Sequence, residues 1–207
     1  MRLSDRAYDL IKHMIITLEL PPLATIDEQA LMENLQLGRT PIREALQRLA
    51  SEGLVFSAPH RGMFVADISI TDLQKIFEAR LALEGFCARL AAQRITPEQR
   101  AELEALVQEL QRVKDGDTRA LMDIDEGFHN LLYQAADNEF LADTLRRLHA
   151  LSFRLWYLVL ERLGDVRKAM EQHVEIASAL KSRDADMAET LIKKHVFEFQ
   201  QEIKAVL

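Results

Sequence analysis

From Ile68 to Leu207 the apolar residues recur at helical spacing almost without a break, and this period constrains the fold more than any other feature of the chain. Six helices account for it, at about 71–93, 97–114, 118–136, 139–162, 166–182 and 185–206. Turn and cap residues stand between them: Thr96 and Pro97; Asp115, Gly116 and Asp117; Asp137 and Asn138; Gly164 and Asp165; and Asp184. Gly and Pro are scarce, 7 and 5 in 207 residues, which favours helix over strand. The expected architecture here is an antiparallel all-α bundle.

The first 67 residues read differently. Residues 5–20 place Leu10, Met14, Ile15 and Leu18 at helical spacing, and Pro21-Pro22 ends that helix. Thr25 and Glu28 have the spacing of a capping box that opens a second, short helix through about Leu35. Thr40 suits an N-cap and Pro41 a first helical position, so a third helix is expected from Pro41 to Glu52, with Gly53 ending it. Two β-type runs follow, Leu54–Ser57 and Met63–Ala66, as a hairpin. Three short helices and a hairpin make a winged helix-turn-helix. The whole chain is therefore mainly α, with a boundary near Asp67–Thr71: domain one is residues 1–67 and domain two is 68–207.

The third helix has two faces. Ile42, Ala45, Leu46 and Leu49 form an apolar stripe that must pack inward. Arg43 and Gln47 stand on the other side, with Arg39 and Thr40 at the leading end. Free amides and Arg at a helix N-terminus suit phosphate, and Arg pairs bidentately with guanine in the major groove. Arg61 and Gly62 lie at the wing tip beside His60. Net charge is −7, which by itself argues against nucleic acid, but the acidity is uneven. Residues 1–66 carry 7 Lys/Arg and 8 Asp/Glu, whereas 67–207 carry 19 and 25. A local basic face, not the total, governs DNA binding.

In the bundle, Asp125 and His129 share a helix face with Leu121, Met122, Phe128 and Leu132. His173 lies on a stripe with Val166, Met170, Ala177 and Leu180, and His195 on one with Met187, Leu191 and Phe199. A single core His is usually hydrogen-bonded to a backbone carbonyl. One Asp and three His from three helices, all facing inward, instead suit a divalent transition metal. His13 and His149 are expected to be structural or exposed. Arg80 falls on the inward stripe Leu73, Phe77, Leu83 and Cys87, where it either meets a carboxylate ligand or pairs with Glu84. Arg154 stands amid Leu151, Phe153, Leu155, Trp156 and Leu158, where it either lines a cavity or snorkels.

Residues 37–55, LGRTPIREALQRLASEGLV, and 61–65, RGMFV, closely resemble the GntR family of bacterial regulators. The resemblance implies operator contacts by Arg39, Thr40 and Arg43, with Gly62 at the wing. The family usually has Gly-Val-Ser where this chain has Gln36, Leu37 and Gly38, so a Ser phosphate contact is lost. The D-x-x-x-H at Asp125–His129 followed by His173 and His195 resembles the FCD effector domain of the FadR-type members, in the six-helix, VanR-like version. That resemblance implies a metal beneath a cavity for small organic acids, with Arg80 binding the acid group. The expected protein is a homodimeric repressor that binds double-stranded operator DNA and responds to a small carboxylate effector. Zinc is the leading metal, with nickel and manganese as alternatives. Two competing expectations are a regulator for which the ion itself is the signal, and a metalloenzyme. The lone Cys87 fits a reducing compartment, and neither a signal peptide nor a membrane span is legible, so a cytoplasmic location is expected.

Overall fold

The computed structural model describes residues 2–114, 116–160 and 166–207. Two compact units emerge, the first from residues 1–72 and 150–160, the second from 73–149 and 161–207. The turn residues Asp115, Gly164 and Asp165, and the expected helix end at 161–162, lie outside the described residues.

The first unit holds α1 (Leu3–Ile16), α2 (Glu28–Leu35), α3 (Arg39–Ser51), β1 (Val55–Ala58) and β2 (Gly62–Val65). Helix α1 buries Ala7, Tyr8, Ile11, Ile15 and Ile16, while Leu10 of the expected stripe is exposed. The helix also stops four residues short of the expected end. Leu18 takes a left-handed φ of 61°, and the Thr17 amide and hydroxyl both donate to the His13 carbonyl at 2.9 and 2.8 Å. The last turn is thus closed before Pro21 is reached.

Helix α2 is capped by Asp27, not Thr25. Asp27 Oδ1 accepts from the amides of Gln29 and Ala30 at 2.8 and 3.1 Å. Thr25 is held in an extended segment bridged to Phe64, out of reach of the helix start. Asp27→Ala is expected to cost about 1 kcal/mol, read as a lower urea midpoint with an unchanged slope.

The altered triplet before α3 builds its turn as follows. Gln36 adopts the left-handed region at φ 56°, Leu37 turns into the core, and Gly38 is the extended N-cap of α3. Thr40 is therefore the second helical residue and not the cap. Pro41 still falls in the first turn, where its missing amide has no intrahelical acceptor to lose. Ile42, Ala45, Leu46 and Leu49 are all buried, and α3 packs on α1. The wing is antiparallel with Val55 opposite Val65 and Ala58 opposite Gly62. Gly62 has φ +94°, a conformation that side chains rarely adopt.

The second unit is built from α4 (Leu73–Arg94), α5 (Pro97–Arg112), α6 (Thr118–Ala135), α8 (Val166–Ser182) and α9 (Ala185–Val206), with the first part of α7 (Glu139–Val159). Starts are marked as the sequence suggests. Thr96 and Gln99 form a capping box, and Asp117 and Asp184 accept from the amides of Ala120 and Met187. Helix α4 runs antiparallel to α9, tied by Gln74 to Gln200 at 3.0 Å and by Arg89 to Glu189 at 2.5 Å. Helix α6 buries the face carrying Leu121, Met122, Asp125, Phe128, His129 and Leu132. Of the expected His195 stripe, Met187 is exposed. Among the described residues no helix is long and apolar enough to cross a membrane.

Candidate nucleic-acid interface and metal centre

The apolar stripe of α3 dictates what its other face presents. Arg39, Thr40, Arg43 and Gln47 are all exposed, and so are Arg61 and Gly62 of the wing. Gly38 has no side chain to cap the helix, so the first-turn amides of α3 are not satisfied by one. Arg48 is different. Its guanidinium lies 3.7 Å from the Tyr8 ring centroid and pairs with Glu52 at 3.4 Å, so it belongs to the α1–α3 packing. Arg43 also has a partner that the sequence reading missed: its Nε lies 3.1 Å from Glu28 Oε2 on α2.

In the second unit the helical period brings Asp125, His129, His173 and His195 together. One ligand-capable atom from each lies within 4.8 Å of all the others, and all four residues are buried. Their outer contacts decide where the lone pairs point. His173 Nδ1 meets the Met170 carbonyl at 3.1 Å, and His195 Nδ1 meets Gln172 Oε1 at 3.0 Å. Both acceptors require the proton on Nδ1. The Gln172 amide is itself oriented by donating to Glu198, so its oxygen faces His195. His129 Nδ1 stands 3.3 Å from Glu84 Oε2, and Glu84 in turn accepts from Arg80 Nε at 2.6 Å. His173 and His195 are thereby left with Nε2 lone pairs on the inner side, whereas His129 Nδ1 also has the Tyr133 hydroxyl at 3.3 Å.

Those lone pairs face a carboxylate. His173 Nε2 is 3.2 Å and His129 Nε2 is 3.9 Å from Asp125 Oδ1. His173 Nε2 is buried and makes no hydrogen bond. Burial opposes ionisation of Asp125, yet His129, His149 and His173 together hold its carboxyl well below the usual range. Burial, with His173 and His129 beside it, pushes His195 well below the usual imidazole range and keeps it neutral. A nitrogen lone pair aimed at a carboxylate repels it unless a proton or a metal cation stands between them. This donor set therefore fits a divalent transition metal.

Of the two expectations for His149, structural or exposed, the first holds: it is buried, beside the cluster, a place its spacing did not reveal. Its Nε2 meets Asp125 Oδ2 at 3.2 Å, orienting the carboxylate from behind. Burial lowers the pKa of His149 to about 4, with His129 adding to the shift. The available signal was its position one helical step from buried Leu145 and Ser152. The two Arg residues considered for an effector belong to different units. Arg80 lies in the second unit, in a buried ion pair with Glu84. Arg154 lies in the first, where its Nη2 donates to the Ala66 carbonyl at 2.6 Å.

Comparison with known proteins identifies both parts of the chain. The profile described as "Bacterial regulatory proteins, gntR family" matches residues 3–65, and the FCD domain profile matches 75–198. The HTH-type transcriptional repressor RspR of Escherichia coli is 29% identical over 204 residues, covering 98% of this chain and 90% of that protein. The Nta operon transcriptional regulator of Aminobacter aminovorans is 30% identical, covering 88% and 86%. Among solved structures, Escherichia coli McbR/YncC superposes with a TM-score of 0.87 at 24% identity, covering 99% of this chain and 98% of that one. These relatives are regulators rather than enzymes, and the metalloenzyme reading falls with that. An N-terminal helix-turn-helix of the GntR type followed by an FCD domain makes this chain a member of the GntR family of DNA-binding transcriptional regulators.

Proposed function

We propose that the chain is an operator-binding repressor whose C-terminal domain holds a divalent metal and whose DNA affinity is set by a small organic acid. Residues 1–67 read DNA through Arg39, Thr40, Arg43, Gln47, Arg61 and Gly62. Residues 68–207 hold the ion on Asp125, His129, His173 and His195, bind the effector and dimerise the protein, which acts in the cytoplasm. The observation that carries the reading is the convergence of one buried carboxylate and three buried imidazoles within 4.8 Å, with Nδ1 of His173 and His195 engaged outside the cluster. A bound divalent cation supplies charge balance there and a point of attachment for an acid group. Zinc suits three imidazoles and one carboxylate best, with nickel and manganese as alternatives.

Arg80 is the effector-binding candidate, because it is the buried cation nearest in linkage to the cluster: Glu84 touches both Arg80 and His129. Arg154 is tied to Ala66 and serves the first unit. Control follows from linkage: an effector that binds two domain arrangements unequally must change operator affinity. Burial of all four ligands and the filled Arg80–Glu84 pair favour, as a second reading, an ion that is itself the signal.

The test is a thermal-shift screen of small carboxylates on metal-loaded protein, with a metal titration of operator affinity alongside. A carboxylate that raises the midpoint and releases DNA is the expected result. Operator affinity that tracks free metal, with no carboxylate responding, would replace the effector reading with the ion-signal reading.

A further inference from the structure

We propose that Glu28 is the positioning residue for base reading by Arg43, so that it sets sequence specificity without touching DNA. The inference rests on the reading of Arg43 as an operator contact. Glu28 opens α2, where Asp27 caps the helix through two amides and holds its first turn in place. Arg43 lies one turn into α3. The packing of α2 on α3 brings together two side chains 15 residues apart.

The contact is one-sided. Both carboxylate oxygens approach Nε, at 3.1 and 3.5 Å, and no other partner of Arg43 occurs among the described residues. Engagement through Nε leaves the two terminal nitrogens, Nη1 and Nη2, without a protein partner among the described residues. That pair matches the O6 and N7 acceptors of guanine. The Arg43 side chain is otherwise 63% exposed, and a long exposed side chain loses much rotamer freedom when it binds. Glu28 reduces that loss by ordering the guanidinium plane beforehand. Arg39 and Arg61, on the same exposed surfaces, have no such carboxylate partner among the described residues. An exposed ion pair adds little to stability, so its effect is expected in recognition instead.

The opposite role would be that of a competitor, a negative charge that merely repels phosphate. Selection from a random-sequence duplex library separates the two. Full-length wild type, Glu28→Ala, Glu28→Gln and Arg43→Ala are each carried through selection, and the base preference at every position is compared. Arg43→Ala is expected to relax one position. Glu28→Ala is expected to relax the same position and no other, losing most of the roughly 5- to 150-fold preference that an Arg–guanine pair supplies. Glu28→Gln keeps an acceptor at the same reach and is expected to retain much of it. If Glu28→Ala fails to fold, Glu28→Asp, with a shorter reach, is expected to relax that position. Full preference in Glu28→Ala where Arg43→Ala has lost it overturns the proposal and leaves the role of Arg43 standing. A uniform rise in affinity for all sequences also overturns it, in favour of competition. If Arg43→Ala relaxes nothing, the reading of Arg43 itself fails, and the positioning role with it.

Discussion

His173→Ala is expected to abolish metal binding and to remove the stabilisation that the ion supplies. His173 Nε2 is buried, lacks a hydrogen bond among the described residues and faces Asp125 at 3.2 Å, so it has much to gain from a cation. A ligand that binds only the folded state stabilises it by about 2.7 kcal/mol when present at about 100 times its Kd. For a chain of this size that corresponds to about 5–11 °C in the melting midpoint. Wild type should show this shift on zinc addition and lose it with a chelator, while His173→Ala should show neither. Elemental analysis of the purified proteins gives the direct comparison. His149→Ala makes a useful contrast, because His149 orients Asp125 from the far oxygen rather than facing the lone pairs. Metal should still bind there, with affinity reduced by about 10- to 100-fold. Unchanged metal content in His173→Ala would sink the four-ligand site.

The second large effect is expected from Arg43→Ala at the operator. A bidentate Arg–guanine pair supplies about 1–3 kcal/mol of discrimination, and a two-fold operator would present it twice. Anisotropy titrations at one fixed salt concentration should therefore show a loss of about 30-fold or more for specific duplex, from about 2–6 kcal/mol over two half-sites. Non-specific duplex should change far less, because one cation among several phosphate contacts is a small part of that energy. Stability should hardly move, since Arg43 is exposed and its pair with Glu28 is a surface ion pair. Arg39→Ala should behave differently if it contacts phosphate, weakening all sequences alike and reducing the salt slope by about one. Wild-type affinity in Arg43→Ala would remove α3 as the reading helix.

The parts of this molecule that were legible from residues are those governed by local periodicity. Ile42, Ala45, Leu46 and Leu49 all went inward, and the residues between them went outward, because a 3.6-residue turn leaves no other arrangement. Asp125 and His129 share a buried face for the same reason, and the caps at Thr96, Asp117 and Asp184 follow from short-range geometry. Local signals failed where two chemically suitable residues competed for one role. Thr25 and Asp27 could both cap α2, and the pairing of Thr25 with the wing decided it. Gly38 and Thr40 could both cap α3, and the left-handed turn at Gln36 started the helix earlier than expected. Leu10 and Ile11 could both face the core of α1, and packing against α3 chose Ile11.

By itself, then, the sequence determined a winged helix-turn-helix ahead of a helical bundle, and which Asp and His residues turn inward, because period and caps act within one helix. Only the tertiary structure decided what those residues meet. Gln172 and the Met170 carbonyl set the proton on His195 and His173, Glu84 stands beside His129, and His149 aligns Asp125. Arg80 is tied to Glu84, Arg154 to Ala66, and Arg43 to Glu28. Most of these contacts join different helices or distant parts of the chain, and spacing within one helix carries no information about which neighbour its face will touch. Arg80–Glu84 and His173–Met170 are local, yet there too the period allowed more than one partner, and burial made the choice.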